Sequence, residues 1–371
     1  MKKLLWIIAL AILAMPGMLL AQELKLTGEM WNRYTLENGI APGDSTDATL
    51  KNYFSLERGY IGLEPKFSET VKGRFTVDMF STDLLKDGAG LKLKYAYVDF
   101  SKLIPIPDMT TTIGLQKVYF GTIYDWNYSL IGKAPSDEYK LANSADYGVS
   151  LNGYIPGGWG EYALGVYNGE GYKNVGANLK DNIDPSFLAN LRLTPLPGIT
   201  LGGSFMTNGS ERKIKLADAT ANSSYNTQML LDGLARVAYG PVDVWVEYMS
   251  KDVTYADAFS SKDYTATSLT IFPTLKLRNL LGTDIDVLAR YDMWDETDNA
   301  SNKNMLSAIT AGLNYNFMHD ESAVPAMQVQ LNYTSKTYDE AESAASYANG
   351  LKDTTTLMLQ FKWRFNATIK A

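Results

Sequence analysis

The feature that most constrains this chain is a side-chain alternation with a period of two, repeated along most of its length. In the segment IDVLARYDM, Ile285 and Val287 lie on one face of an extended chain, while Asp286 and Arg290 lie on the other. The segments AMQVQLNYT and PVDVWVEYM alternate in the same way. A period of two indicates β-strands, because successive side chains of a strand point to opposite faces. The pattern predicts an all-β protein.

The alternating segments are about ten residues long, and turn residues separate them. About sixteen such segments can be counted, each with the length and composition of a strand. We expect strands near residues 23–37, 50–64, 69–81, 90–100, 109–118, 145–155, 160–168, 186–194, 199–207, 226–239, 242–252, 263–277, 283–293, 304–317, 325–336 and 353–365.

The connections between these segments alternate between short and long. Short turns such as PGG at 156–158 and PLPG at 195–198 alternate with long links, the longest of which is residues 119–144. Short periplasmic turns and long extracellular loops are typical of a single antiparallel transmembrane β-barrel. A soluble β-sandwich of this length would need several domains, but no linker is visible. A propeller should show a repeat of about 40–50 residues, and none is found.

The N-terminal stretch MKKLLWIIALAILAMPGMLLA predicts a secretory signal peptide over residues 1–21. Lys2 and Lys3 form its basic segment, an apolar run follows, and Ala21 supplies a small residue near the expected cleavage site. A membrane anchor is the alternative, which the polar sequence directly after Ala21 disfavours. The barrel would then span residues 22–371, in the outer membrane of a Gram-negative-type bacterium.

Composition excludes several partners and cofactors. Without Lys2 and Lys3, the 34 basic residues become 32 against 41 acidic ones, a net charge of −9. A nucleic-acid-binding protein would show a basic patch, so no nucleic-acid partner is expected. Cysteine is absent, which leaves no disulfide and no thiolate metal site. The acidic run from Asp292 to Asp298 lacks the spacing of an EF-hand. We expect no cofactor and no metal site.

The final predicted strand indicates which medium each face contacts. In TTLMLQFKWRF, the apolar side chains, including Phe361, Trp363 and Phe365, share one face, while Lys362 and Arg364 lie on the other. A basic side chain facing lipid near the bilayer midplane costs about 2–4 kcal/mol, so the basic face must contact water. A last strand that ends in an aromatic residue is similar to the signal read by the outer-membrane assembly machinery. This chain differs because NATIKA follows Phe365.

Several segments resemble a known family when they are taken in order. They are YFSLERGYIGLEPKFSETVKGRFTVD from Tyr53, KYAYVDF from Lys94, IGLQKVYFG from Ile113, DYGVSLNG from Asp146 and EYALGVYNGEGY from Glu161. This order resembles bacterial porins of the phosphate-selective porin O and P type and their general-porin relatives. The first half of the chain carries most of the resemblance, and the second half shares only the rhythm. The resemblance implies a sixteen-stranded homotrimeric channel whose third outer loop folds into the pore.

The alternation assigns charged side chains to the lumen. Parity places Lys72, Arg74, Lys92 and Lys94 inward, while the face of Arg58 is ambiguous because the apolar phase slips between Phe54 and Ile61. Other inward charges are Asp243, Glu247, Asp284, Asp286, Arg236 and Arg290. The loop expected in the pore carries Asp125, Lys133, Asp137, Glu138 and Lys140. One hypothesis is that the basic wall faces the acidic loop across a narrow constriction. The alternative is that these are ordinary hydrated charges away from any constriction.

The sequence predicts a channel for passive diffusion of small hydrophilic solutes and ions, with anion or phosphate preference as one hypothesis. The net charge favours cations instead, although much of the acidity lies in outer loops. Sugar passage along aromatic rings is an alternative, since Trp31 and Trp245 point inward and Tyr124, Trp126 and Tyr128 lie on the loop. A structural or adhesive barrel without an open pore is a further alternative.

An outer-membrane enzyme is the rival class of protein. The sequence contains one histidine, His319, in a predicted periplasmic turn where it would be a solvated surface residue. No Gly-x-Ser-x-Gly, His-Glu-x-x-His or P-loop motif occurs. A nucleophilic serine needs a positioned base, so a non-enzymatic protein is expected.

Overall fold

The computed structural model of the chain describes residues 21–40, 47–82, 88–169, 171–173, 185–213, 223–255, 263–298, 305–319, 325–339 and 353–370. β-Strands account for most of these residues. Within the described ranges, no helix is long and apolar enough to cross a membrane.

The strands follow one another in chain order, with their ends close to the predicted ones. They are β1 (Glu23–Ile40), β2 (Asp47–Lys66), β3 (Val71–Ser81), β4 (Ala89–Ser101), β5 (Met109–Lys117), β6 (Ala145–Ile155), β7 (Gly160–Tyr167), β8 (Ser186–Leu196), β9 (Ile199–Lys213), β10 (Ser223–Tyr239), β11 (Val242–Tyr255), β12 (Tyr264–Lys276), β13 (Ile285–Asp295), β14 (Leu306–His319), β15 (Pro325–Tyr338) and β16 (Thr354–Lys370). Two short helices lie in connections, α1 (Pro135–Glu138) between β5 and β6 and α2 (Arg278–Leu281) between β12 and β13. A single 3-10 turn (Pro156–Gly158) joins β6 to β7.

The sixteen strands form one closed antiparallel barrel. Each strand pairs with its neighbours in sequence, and β1 pairs with β16 to close the sheet. That last register runs from Gly39 opposite Thr354 to Glu23 opposite Lys370. Closure satisfies the backbone N–H and C=O groups within the sheet, which is what lipid requires of a spanning structure. The predicted all-β barrel of about sixteen strands is confirmed.

The period-two alternation separates an outer surface from an inner one. On β16, Leu359 is 46% exposed on the outside, while its neighbour Gln360 is 1% exposed on the inside. On β15, Leu331 and Gln330 differ in the same way. The outward residues are apolar and the inward ones polar, as expected for a cylinder with lipid outside and water inside.

The seam between β1 and β16 is longer than predicted. β16 continues past Phe365 to Lys370, because residues 366–370 pair with the first residues of β1. Gly28 lies opposite Phe365, and a Cβ atom there would lie 2.2 Å from the Phe365 ring. The glycine therefore makes room for an aromatic side chain to lie across the seam.

Two β-bulges, one in β2 and one in β4, change which of their side chains point into the lumen. In β2, Trp31 lies opposite Arg58 and Asn32 opposite Leu56, so Glu57 is the extra residue. In β4, Thr76 lies opposite Tyr95 and Val77 opposite Leu93, so Lys94 is the extra residue. A bulge adds one residue to one strand and re-aims its side chains. Consequently Lys94 and Tyr95, although adjacent, both line the lumen.

Arginine substitutions at two adjacent positions test whether one face of the sheet contacts lipid and the other contacts water. Leu359→Arg puts a cation among lipid chains and should lower the free energy of unfolding by about 2–4 kcal/mol. The matched control Met358→Arg points its cation into the lumen and should cost much less. Denaturant unfolding in lipid vesicles measures both values. Equal losses for the two variants would contradict the assignment of faces.

Candidate functional site

The β5–β6 connection, residues 118–144, folds into the barrel, and we call it the lumen loop. It is the long third connection that the sequence predicted to enter the pore. The loop runs along the inner wall past β8 to β16, and its tip reaches β1 and β2, where the Tyr128 and Trp31 ring centroids are 4.5 Å apart. The loop therefore fills part of the lumen and narrows the space that remains.

Polar side chains of the wall hold the first part of the lumen loop. The Glu247 carboxylate of β11 accepts hydrogen bonds from the Thr122 backbone N–H at 2.7 Å and the Thr122 hydroxyl at 2.8 Å. Arg192 of β8 donates to the Gly121 carbonyl at 2.5 Å. Glu247 and Arg192 are both buried. A buried charge with several hydrogen bonds fixes its partner firmly, because breaking one bond leaves a desolvated group.

Amide and basic side chains hold the tip of the loop. Asn314 of β14 donates to the Ser129 carbonyl at 2.5 Å, and Gln330 of β15 donates to the Tyr128 carbonyl at 2.9 Å. Lys362 of β16 donates to the Asn127 carbonyl at 3.1 Å. The inward position of Lys362, inferred from parity, thus coincides with a contact to the loop.

The loop also has an apolar side that packs against the wall. Phe120 and Leu141 of the loop form a buried cluster with Tyr167, Leu188 and Met249 of the strands. Burial of apolar side chains stabilises such contacts by about 1.5–3 kcal/mol for each large residue. The loop is therefore fixed by packing as well as by hydrogen bonds.

Across the remaining space, the wall is basic. Arg58, Arg74, Lys94 and Lys117 line the same cavity as the loop residues Tyr124 and Tyr128. The side-chain alternation predicted that Arg74 and Lys94 point inward. The bulge at Glu57 turns Arg58 inward as well. Arg58, Lys94 and Lys117 take part in none of the ion pairs between described residues, whereas Arg74 lies 3.8 Å from Glu64.

Aromatic rings hold these cations. The Arg58 guanidinium carbon lies 4.4 Å from the Trp31 ring centroid, 4.7 Å from that of Tyr60 and 4.9 Å from that of Tyr128. The Arg74 guanidinium carbon lies 4.5 Å from the Tyr95 ring centroid. A cation over a ring face gains about 0.5–2 kcal/mol. The rings orient the guanidinium groups without neutralising their charge.

The acidic residues of the loop face other parts of the wall. Asp125 pairs with Arg192 at 2.6 Å, and Glu138 lies 3.6 Å from Lys336 of β15. Asp137 remains close enough to Lys94 to interact with it electrostatically. The structure therefore differs from the hypothesis of an acidic loop opposite a basic wall. The Tyr128 phenol of the loop, rather than Asp125 or Glu138, faces Arg58, and the Tyr124 phenol faces Arg192.

The other predicted site residues lie outside this basic group, although Arg236 and Asp243 line the same cavity. Lys72 is exposed at the short-turn end of β3, and Lys92 of β4 lies over the Phe80 ring at 4.2 Å. Lys133 and Lys140 are exposed on the loop, and the Lys133 carbonyl accepts a hydrogen bond from Arg290 at 2.7 Å. Arg236 and Asp243 pair with each other at 2.6 Å.

The remaining charges cluster at the short-turn mouth of the lumen. Asp284 lies just before β13, and Asn316 donates hydrogen bonds to Asp284 at 3.1 Å and Asp286 at 3.3 Å. His319 Nδ1 lies 3.4 Å from Asp284 Oδ2, so the expected solvated turn residue is instead half-buried at the end of β14. Among the described residues, no group of three or more His, Asp or Glu side chains could hold a metal ion.

Three residues of the site were not predicted from the sequence. Lys117 ends β5 where the chain turns into the lumen, so parity gives no reliable face for it. Arg192 and Tyr60 are inward by alternation, in FLANLRL and RGYIGLE. Alternation could have predicted that both side chains point inward. Their contact partners, which lie on the loop or on β2, could not have been predicted.

Two of the cavities in the lumen lie on opposite sides of the lumen loop. The cavity on its short-turn side has a volume of about 610 Å³, and the one on its long-loop side about 510 Å³. Trp31, Arg58 and Tyr128 line both cavities. We call these three side chains the ring clasp, because the two cavities meet there.

The phenols that face the basic wall stay protonated. Burial raises the pKa of Tyr128 above its ordinary value, although the neighbouring Arg58 opposes the shift. Burial likewise raises the pKa of Tyr124. These loop side chains therefore act as neutral hydrogen-bond donors at neutral pH and leave the local charge to the basic residues.

The closed barrel with its partly filled, charged lumen has the fold of outer-membrane porins. Residues 253–365 match the family described as phosphate-selective porin O and P. The resemblance to porins of this kind is confirmed. Its location differs from the expectation, because the match lies in the half of the chain where only the rhythm was noted. No curated protein matches the chain.

Solved structures share the fold at low sequence identity. The anion-selective porin from Comamonas acidovorans is 12% identical, with a TM-score of 0.61 over 92% of this chain and 99% of that one. OmpT of Vibrio cholerae in its trimer form is 11% identical, with a TM-score of 0.57 and coverages of 92% and 99%. Salmonella typhi OmpF in complex with daunomycin is 12% identical, with a TM-score of 0.57 and coverages of 92% and 97%.

Removing the carboxylate that holds the loop should loosen it. Glu247→Ala leaves the Thr122 N–H and hydroxyl without their acceptor, so we expect a loss of about 1–3 kcal/mol in the free energy of unfolding. The current through a single barrel should also become noisier. Glu64→Ala is the control, because it removes a half-exposed lumen carboxylate that lies near Arg74 rather than the loop. Matching stability and noise in the two variants would show that Glu247 does not anchor the loop.

Proposed function

We propose that this protein is an outer-membrane channel through which small hydrophilic solutes and ions diffuse passively, with a preference for anions. The observation that carries the proposal is the imbalance of charge beside the lumen loop. Among the described residues, Arg58, Lys94 and Lys117 form no ion pair within 4 Å, although Asp78 acts on Arg58 and Lys94 from a greater distance, whereas Asp125 is paired with Arg192. Unpaired charge at a narrow passage attracts ions of opposite sign.

The family match and the fold support this proposal in general terms. A partial match to phosphate-selective porins agrees with an anion-preferring channel, and one structure of the same fold is an anion-selective porin. Both also favour a non-enzymatic protein. The alternative of sugar passage predicts permeation of neutral sugars at rates comparable to those of anions. The alternative of a closed barrel predicts no current.

Localisation and assembly complete the proposal. We propose that residues 1–21 are removed as a signal peptide, and that the assembly machinery reads Phe361, Trp363 and Phe365 on β16. We also propose a homotrimer, which the trimer form of the structurally similar OmpT supports. Native mass spectrometry of the detergent-extracted protein should give three copies, and a single copy would remove the trimer from the proposal.

Reconstitution into a planar bilayer tests the channel. We expect discrete current steps and, in a potassium chloride gradient, a reversal potential of the sign that chloride permeation produces. Arg58→Gln should lower the chloride-to-potassium permeability ratio roughly fivefold, the effect of losing about 1 kcal/mol of Coulomb attraction. A folded protein without current would refute the channel, and a cation-type reversal potential would refute the anion preference.

Charge reversal within one strand tests the position of the selective region. Arg74→Glu changes a side chain that lines the cavity and should shift the reversal potential strongly toward cations. Lys72→Glu makes the same change on the same face of β3, two residues nearer the mouth and outside that lining. It should shift the potential much less. Equal shifts would show that the whole lumen, rather than the region beside the loop, sets the preference.

A further inference from the structure

Three of the cations beside the lumen loop differ from isolated charges because they lie against aromatic rings. Arg58 contacts Trp31, Tyr60 and Tyr128, and Arg74 contacts Tyr95. Lys94 Nζ lies 4.1 Å from the Tyr172 ring centroid. The contacts of Arg58 and Arg74 each join a positive charge to a flat ring that lines the same cavity.

The ring contacts of Arg58 determine the surface that an incoming anion contacts. The N–H donors of a guanidinium group lie along the edge of its plane, and Arg58 uses one of them in a hydrogen bond with Tyr128. That edge can bind a carboxylate through two parallel hydrogen bonds. Around Arg58, the same rings border the edge, so an anion bound there has aromatic surface beside it.

The opposite wall of the passage adds further rings. Trp126 and Tyr124 of the lumen loop line the cavity together with Phe272 and Trp245 of the barrel. The ring centroids of Trp126 and Phe272 are 5.5 Å apart. A small hydrated ion gains only from the positive charge, whereas a solute with a ring gains additional stacking contact.

We propose that the passage beside the ring clasp binds and conducts organic anions whose carboxylate is attached to a flat aromatic body, in preference to saturated carboxylates of the same charge and size. This inference rests on the proposed anion channel and names its substrate class. The carboxylate would lie at the N–H edge of Arg58, and its ring would lie against Tyr60 or Tyr128. The cavity of about 610 Å³ is large enough to admit such a solute.

Benzoate and cyclohexanecarboxylate form a matched pair of probes, because both carry one carboxylate on a six-membered ring and only benzoate is aromatic. Single channels in a bilayer would carry chloride current while either anion is added. We expect benzoate to reduce that current with a half-effect concentration roughly threefold lower than that of cyclohexanecarboxylate, the size of one stacking contact. Swelling of vesicles in potassium benzoate would then measure passage itself.

Variants connect the effect to the rings. Tyr60→Leu should make the two half-effect concentrations nearly equal, because the variant removes a ring beside Arg58. Tyr333→Leu, on the outer surface of β15, is the control and should leave their ratio unchanged. If Tyr60→Leu fails to fold, Tyr128→Asn on the loop provides the same test.

The outcomes separate this inference from the function on which it rests. Equal half-effect concentrations in the parent protein, with chloride still preferred, would overturn the aromatic preference and leave the anion channel intact. A ratio that persists in both ring variants would also overturn it, since the rings would not be its cause. A cation-preferring parent channel would overturn both proposals.

Discussion

The structure depends on the requirement that every backbone hydrogen-bonding group within lipid finds a partner in the protein. Pairing of β1 with β16 meets that requirement, because a sheet without edges leaves no unpaired strand. Once the sheet is closed, neighbouring residues occupy different media. Leu359 and Gln360 differ by one position in sequence, yet one contacts the outside of the barrel and the other contributes to the polar lumen.

The polar inner wall of the barrel explains why a long segment can fold inside it. A loop carries backbone groups that need partners, and the inner wall supplies them through Glu247, Arg192, Asn314 and Gln330. The same wall supplies apolar surface for Phe120 and Leu141. Packing and hydrogen bonds together fix the loop in place, so its path determines the shape of the remaining space. The position of the basic residues relative to this space follows from where the loop is held.

Much of the fold could be predicted because the dominant signal is local. Alternation alone placed sixteen strands and the inward faces of Arg74, Lys94 and Lys362. The face of Arg58 could not be decided, because the bulge at Glu57 breaks the period at that point. Partners across the lumen could not be predicted either. Asp125 and Arg192 are 67 residues apart in sequence, and only the path of the loop brings them together.

The net charge of the chain and the charge of its passage have opposite signs. The distance of each charged residue from the passage determines how strongly it acts on an ion there. Electrostatic interactions in water at physiological salt are screened over about 8 Å, so acids in the outer loops contribute little at the ring clasp. Charges that line the passage are screened less, because protein surrounds them. Pairing of Asp125 with Arg192 removes a nearby negative charge, whereas ring contacts leave Arg58 positive. The proposed selectivity therefore depends on which few charges lack close counterions beside the loop, and composition cannot reveal this.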